Sequence, residues 1–261
     1  MAVKLHFTRS GTGPPVVLLH GLFGAGGNLG ALVGALQDSF EVYSVDLPNH
    51  GRSGWLERAD LPAMMQCLRH WMDEQQLSCA SFVGHSLGGK VAMQLALQYS
   101  SRVAALIVAD IAPVVYPPHH DAVFTALDAV VAGQCTSRQQ ATELMAVHIA
   151  EQGVIQFLLM SLQRGAGGIY CWRFNLEGIK AGYQAVRAAP LAEHAYRGPV
   201  LFIKGGESNY ILEEHREDIL GLFPRAKVKT MPGCGHWLHA QQPRLFNSIV
   251  SRFLQAAIIQ V

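Results

Sequence analysis

A-S-F-V-G-H-S-L-G-G-K-V-A-M-Q-L-A-L-Q-Y, residues 80–99, runs from a compact apolar strand into a helix through a turn that carries a serine. Ala80 to Val83 has the short, apolar character of a strand buried on both faces. Lys90 to Tyr99 has helical apolar spacing. Between them, Gly84-His85-Ser86-Leu87-Gly88 places Ser86 at the tip of a sharp strand-to-helix bend, a strained position that exposes its hydroxyl. Gly84 and Gly88 let strand and helix pass without side-chain clashes. The new helix aims its free N–H groups at the point where negative charge would develop. The five-letter pattern G-x-S-x-G is common by chance; its strand-before, helix-after setting gives it weight.

The same alternation extends outward. Val16 to Leu19, Phe40 to Leu47 and Val103 to Ile111 read as strands, with helical spacing over Leu29 to Leu36 and Leu61 to Gln76. Strand and helix alternating at this spacing predict the α/β class, a parallel sheet covered on both faces. From Pro113 to about Pro190 the rhythm breaks. Ala122 to Val131, Gln139 to Ala150, Val154 to Gln163 and Leu176 to Val186 are helical patterns, and no strand is expected among them. Sheet segments return at Val200 to Ile203 and Ala226 to Met231, before a last helix from about Gln242 to Ala257. Residues 113–190 are therefore expected to form a helical cap inserted into a core of residues 1–112 and 191–261.

A serine hydroxyl needs a base to become a nucleophile at neutral pH. Of the 12 histidines, His236 is favoured because Gly233-Cys234-Gly235-His236 closes the last strand in a flexible loop, in the order serine, acid, histidine. The adjacent pair His119-His120 is rejected as a metal site, since neighbouring residues are expected to point apart and no third ligand lies near. The acid that orients the imidazole is ordinarily found just after the strand Val200 to Ile203. There the chain reads Lys204-Gly205-Gly206-Glu207-Ser208, with Ser208 at the expected place and Glu207 one residue out of phase. Asp110, at the end of the strand Val103 to Ala109, is the better candidate, because a carboxylate after an apolar run needs a partner. Asp46 is its rival, although it leads into a turn where a structural role is more natural. A structural Asp110 capping a loop is the other alternative. The Ser208 hydroxyl is expected to bond His236 or Asp110 in the space left by the missing carboxylate. Two N–H donors are needed for an oxyanion, and the backbone of Leu87 and of Leu22 is expected to supply them. Gly24, Gly26 and Gly27 do not form a phosphate cradle, because no G-K-[ST] follows and the G-x-G-x-x-G spacing fails.

Bulk composition narrows the classes further. The chain has 261 residues, 50% hydrophobic and 15% charged, enough for one domain with an insertion. A net charge of +1 without a Lys/Arg block argues against nucleic acid as a partner. There is no run of about 18 apolar residues to span a membrane, and Met1 to Gly13 lacks the apolar core of a secretion signal. Cys67, Cys79, Cys135, Cys171 and Cys234 are odd in number and scattered, which suggests reduced thiols in a cytoplasmic protein.

Five motifs together carry a resemblance. H-G-L-F-G at 20–24, D-L-P-N-H-G-R-S at 46–53, G-H-S-L-G-G-K at 84–90, A-D-I-A-P at 109–113 and G-H-W-L-H-A at 235–240 resemble the α/β-hydrolase superfamily, and more narrowly the YbfF-type esterases and their mitochondrial relatives. The first three recur widely; A-D-I-A-P with the Gly-Glu-Ser stretch is narrower. The resemblance implies a mostly parallel eight-stranded sheet with a helical cap. It also implies Asp110 and Ser208 as acid and accessory serine, with no metal or organic cofactor. The implied activity is hydrolysis of small-molecule acyl esters, with acyl-CoA thioesters as an extension. The same framework also supports a cofactor-free lyase or peroxidase, or a small-molecule receptor, because fold does not fix reaction. Phe124, Leu127, Met145, Phe157, Leu158, Met160, Trp172 and Phe174 are candidates either to pack the cap or to line an acyl pocket.

Overall fold

The computed structural model describes residues 3–258. The strands Phe7–Ser10 (β1) and Pro15–Leu19 (β2) are followed by the helix Gly30–Leu36 (α1) and the strand Glu41–Val45 (β3). Next come the helix Leu61–Glu74 (α2), the strand Ala80–His85 (β4), the helix Leu87–Gln98 (α3) and the strand Val103–Ala109 (β5). Four helices then follow: Asp121–Ala132 (α4), Arg138–Ala146 (α5), Gln152–Leu159 (α6) and Leu176–Val186 (α7). Two short strands, Leu162–Arg164 (β6) and Tyr170–Trp172 (β7), lie between α6 and α7. Val200–Gly205 (β8), Arg216–Leu222 (α8), Ala226–Met231 (β9), Leu238–Gln241 (α9) and Pro243–Ile258 (α10) complete the chain.

The main sheet runs β1-β3-β2-β4-β5-β8-β9. All neighbours are parallel except the β1–β3 pair. Alternate side chains of each strand face opposite ways, so each central strand feeds two cores. Val17, Leu19, Phe82, Leu106, Val108 and Phe202 join the core that holds α2 and α3. Val16, Leu18, Val83, Ile107, Leu201 and Ile203 join the opposite one, closed by α1 and α10. Burial on both faces explains why these strands read as continuous apolar runs rather than alternating ones. The helix α2 shows the complementary logic. Leu61, Met64, Met65, Leu68, Trp71 and Met72 repeat at helical spacing and are all buried. Asp60 caps its start by accepting the Ala63 N–H at 2.8 Å.

Two expectations need correction. The sheet has seven strands among the described residues, one fewer than the eight implied by resemblance. Ahead of Phe7 the chain is held by a loop instead of a further strand: Lys4 accepts the Gly54 N–H at 2.9 Å and His6 donates to Ser53 Oγ at 2.8 Å. The inserted segment also contains strands: β6 and β7 form an antiparallel hairpin. At three residues each they are too short to show a period, and Gln163 and Arg164 are exposed, so no hydrophobic signal marks them. This hairpin ends the helical pattern at Leu159, where Gln163 was expected.

Strand order reverses between β2 and β4, because the chain goes from β2 outward to β3 and then returns on the other side for β4, β5 and β8. The crevice at the carboxyl ends of parallel strands beside such a reversal is where α/β sheets place their ligands. The inserted helices have an apolar cluster of their own. Leu127, Met145, Trp172 and Phe174 lie in it, and Phe23 from the loop after β2 joins it.

Candidate active site

The bend between β4 and α3 is as sharp as the sequence requires. Ser86 has φ +50° and ψ −116°, a region costing a non-glycine residue about 1–3 kcal/mol. A Cβ on Gly84 would sit 2.4 Å from the Gly88 carbonyl oxygen, and one on Gly88 would sit 2.3 Å from that of Leu19. Both flanking glycines are thus fixed by backbone contact. Neighbouring strands hold the bend in place: Ser86 N–H donates to the Ala109 carbonyl at 3.0 Å, and Gly88 N–H to that of His20 at 3.1 Å.

Asp110 follows β5 at once, also in the left-handed region with φ +51°, and its N–H donates to the Ile203 carbonyl at 2.8 Å. The residue is completely buried. A buried carboxylate is tolerated only when its oxygens are satisfied. Oδ1 accepts the Gly205 N–H at 2.9 Å. Oδ2 accepts the Ser208 hydroxyl and His236 Nδ1, the latter at 2.8 Å. Ser208 Oγ in turn accepts the Tyr210 N–H at 3.2 Å. Of the two bonds expected for Ser208, the one to Asp110 is present. Glu207 is exposed and engages the fold through its N–H, bonded to the Cys234 carbonyl at 2.9 Å. Asp46, the rival acid, has its carboxylate engaged by the N–H groups of Gly26 (2.7 Å) and Arg52 (2.9 Å) and by His6 Nδ1 (3.1 Å), which is turn-building work away from His236.

His236 is held on several sides. Nδ1 faces the carboxylate, so the proton sits there and Nε2 is left as the basic nitrogen. The Tyr210 ring stacks on the imidazole, with centroids 3.9 Å apart and planes at 19°. The His85 ring lies 4.8 Å away, and its Nε2 donates to the His236 carbonyl at 2.9 Å. Ser86, His236, Leu22 and Leu87 all line one cavity of about 480 Å³, while Asp110 sits behind His236, outside the lining. Leu87 opens α3, where N–H groups have no helical acceptor. Leu22 and Phe23 are the central residues of a turn closed by the Gly24 N–H to Gly21 carbonyl bond of 3.1 Å, so the Leu22 N–H is not spent on closing it. The structure thus gathers Ser86, His236, Asp110, Ser208, Leu22 and Leu87 into one place.

Several neighbours escaped the sequence reading. Tyr210 had no motif to mark it. His85 was visible only as the variable letter of G-x-S-x-G. His119 and His120 do not point apart, contrary to expectation. Their rings lie 4.1 Å from each other because tyrosines hold them: His119 Nε2 meets Tyr210 Oη at 2.6 Å and His120 Nδ1 meets Tyr183 Oη at 2.6 Å. Of the apolar candidates in the inserted segment, Phe157 and Leu158 line the cavity. Met160 is 54% exposed, and Leu127, Met145, Trp172 and Phe174 are interior.

Burial keeps the nearby imidazoles neutral. It pushes His85 well below the ordinary histidine value, with His239 and His236 adding to the shift. Burial likewise brings His50 down to about 3, helped by His20, and His239 to about 4, helped by His236. An unfolded chain takes up protons on these groups below pH 6.5, whereas the folded one does so only near 3 and 4. Stability is therefore fully present above 6.5 and falls as pH drops through that window. Together the two groups cost on the order of 4 kcal/mol at about pH 5. The urea midpoint should fall by roughly 1–2 M between pH 7 and pH 5; an unchanged midpoint would show that these imidazoles already carry protons in the fold.

Residues 16–249 match the Alpha/beta hydrolase family. The chain is 41% identical to Esterase YbfF of Escherichia coli (strain K12) over 244 residues, 92% of each chain. It is 38% identical to the mouse sn-1-specific diacylglycerol lipase ABHD11, over 92% of this chain and 81% of that one. A solved structure described as a marine microorganism esterase superposes with a TM-score of 0.93 at 33% identity, covering 97% of this chain and all of the other. A bend that presents a serine at a strand reversal, in one cavity with a carboxylate-held histidine, together with these similarities, places the chain in the alpha/beta hydrolase family.

Proposed function

We propose that this protein is a serine carboxylesterase acting on small acyl esters through an acyl-enzyme on Ser86. The observation that carries the reading is the buried Asp110 carboxylate bonded to His236 Nδ1, beside a cavity lined by both His236 and Ser86. In this reading His236 Nε2 removes the Ser86 proton as Oγ attacks the ester carbonyl. The tetrahedral oxyanion is received by the N–H groups of Leu87 and Leu22. His236 then protonates the departing alcohol, and an acyl-Ser86 ester remains. Water, deprotonated by the same nitrogen, releases the acid and restores Ser86. Asp110 keeps the proton on Nδ1 throughout and stabilises the imidazolium. Ser208 holds the carboxylate in place.

Residues 1–112 and 191–261 serve in this proposal as the catalytic core, with 113–190 as a cap that covers the cavity. Val123, Ile149, Val154, Phe157 and Leu158 of the inserted segment line it and supply an apolar wall suited to an acyl chain. The relatives named esterase and diacylglycerol lipase support an ester as the substrate. Acyl-CoA thioesters are the natural extension, because a thiolate leaves more readily than an alkoxide and needs no further protein group.

A panel of p-nitrophenyl esters and acyl-CoAs of graded chain length tests this. Rapid multiple turnover with an optimum at short to medium acyl chains is expected. A single slow burst, with no further turnover, would instead mark a receptor, and inertness toward every ester would turn attention to lyase or peroxidase chemistry.

A further inference from the structure

The cavity walls differ in chemistry. Opposite in character to the apolar wall is a cationic corner where the chain leaves the core after β5 and re-enters after α7. Lys90, one helical turn beyond Ser86 on α3, and Arg187, at the end of α7, both line the cavity there. Every hydrogen bond of these two cations goes to a main-chain carbonyl. Lys90 Nζ donates to Val114 (2.9 Å), Arg187 (2.8 Å) and Ala188 (2.6 Å), which uses all three of its protons. Arg187 Nη1 donates to the Tyr116 carbonyl. Among the described residues the one carboxylate in the cavity lining is the exposed Glu151, and it pairs with neither cation.

Arg187 is held rigidly but not satisfied. Its guanidinium lies over the Tyr183 ring, 5.1 Å from the centroid, and Nη1 is tied to Tyr116. The Nε–H is shut off from water and has no acceptor. Nη2 has no partner among the described residues either. Nη2 keeps its N–H donors for an anion that enters the cavity, and a guanidinium hydrogen bond to a carboxylate is charge-assisted.

Resting on the ester-hydrolase reading above, we propose that this corner is an anion subsite. Nη2 of Arg187, which has no protein partner among the described residues, binds a free carboxylate borne by the substrate, with the Lys90 amine adding positive charge behind it when protonated. The preferred substrates are then acidic esters, in which a second, unesterified carboxylate lies a few bonds from the carbonyl attacked by Ser86. Burial and the neighbouring Arg187 draw Lys90 down to about 7, and an anion in the corner would relieve that strain on its charge.

Three probes test the subsite. The p-nitrophenyl monoester of glutaric acid carries the anion on the acyl side and is compared with neutral p-nitrophenyl pentanoate. 4-(Butyryloxy)benzoate carries it on the leaving group and is compared with phenyl butyrate. The wild type should favour one acidic ester over its neutral counterpart in kcat/KM, and which one tells the end that faces Arg187. In Arg187→Gln that acidic-to-neutral ratio should fall by about 10- to 100-fold, as loss of a charge-assisted pair implies. Arg187→Lys, which keeps the charge but not the Nη2 donors, should recover only part of it. Preference for neither acidic ester, or equal loss on acidic and neutral esters in Arg187→Gln, overturns the subsite while leaving the esterase reading intact. Calorimetric titration of glutarate needs no turnover, so it separates the two readings if no ester is hydrolysed. Binding that weakens in Arg187→Gln supports the subsite, and absent or unaltered binding refutes it.

Discussion

Ser86→Ala should lower kcat on a p-nitrophenyl ester by about 10⁶-fold, the size of loss seen when a triad nucleophile is removed. The magnitude follows from what is taken away. Without Oγ there is no acyl-enzyme, and the remaining route is direct attack by water with only oxyanion donors and binding to help, worth about 10³–10⁴ over solution. Substrate affinity should change little, because most of the cavity wall comes from other residues. The variant also loses the hydroxyl but keeps φ +50° at position 86, so the strain remains and thermal stability should stay near that of the wild type. Single-turnover rates with a fluorescent or chromogenic ester, alongside equilibrium binding, would measure both effects. Residual turnover within a hundredfold of wild type would mean that another nucleophile forms the acyl-enzyme.

Asp110→Asn should cost about 10⁴-fold in kcat, and the hydrogen bonds around this side chain explain why so small a change is so damaging. Gly205 N–H requires an oxygen at the Oδ1 position. If the amide oxygen goes there, the NH₂ takes the Oδ2 position and donates toward His236 Nδ1. The imidazole must then carry its proton on Nε2 and cannot accept one from Ser86. If the amide is turned the other way, two donors face each other in a site closed to water, which is costly in stability. Either arrangement impairs the base. Ser208→Ala is the milder companion. It removes one of the two bonds to Oδ2 while leaving His236 paired, so a loss of about 10- to 100-fold is expected, the worth of a hydrogen bond to a charged group. Rates near wild type in Asp110→Asn would remove it as the orienting acid; rates near wild type in Ser208→Ala would leave that serine as filler for the space. Thermal midpoints of both variants separate lost catalysis from lost folding.

In the proposed mechanism these two residues divide the work between strands. Asp110, the proposed acid, belongs to the end of β5 and Ser208, its proposed accessory, to the loop after β8, neighbouring strands in the sheet. A carboxylate displaced to the adjacent strand reaches the same imidazole because parallel strands lie roughly 4.8 Å apart and their ends open onto one crevice. Positive φ at both Ser86 and Asp110 is the backbone expression of this. Each side chain is turned out of the line of its strand, Asp110 onto His236 Nδ1 and Ser86 to the cavity that His236 also lines.

The sequence alone determined the elements that speak through local pattern. Buried strands on both faces appear as unbroken apolar runs, α2 appears as apolar spacing, and the serine bend appears as glycines at 84 and 88 whose missing side chains the backbone demands. These are short-range signals, so Ser86 and the sheet were readable from the residues, and His236 and Asp110 could be nominated from position along the chain. Tertiary structure decided what depends on distant segments meeting. Whether Asp110 or Asp46 was free to serve His236 turned on where Gly26, Arg52 and His6 came to rest. The choice of Asp110 as partner for Ser208, the tyrosine stacked on His236, the short hairpin among the inserted helices and the place of Arg187 in the cavity wall have no local pattern at all. They arise from contacts between residues far apart in the chain, whose energies depend on three-dimensional proximity and leave no period in the sequence.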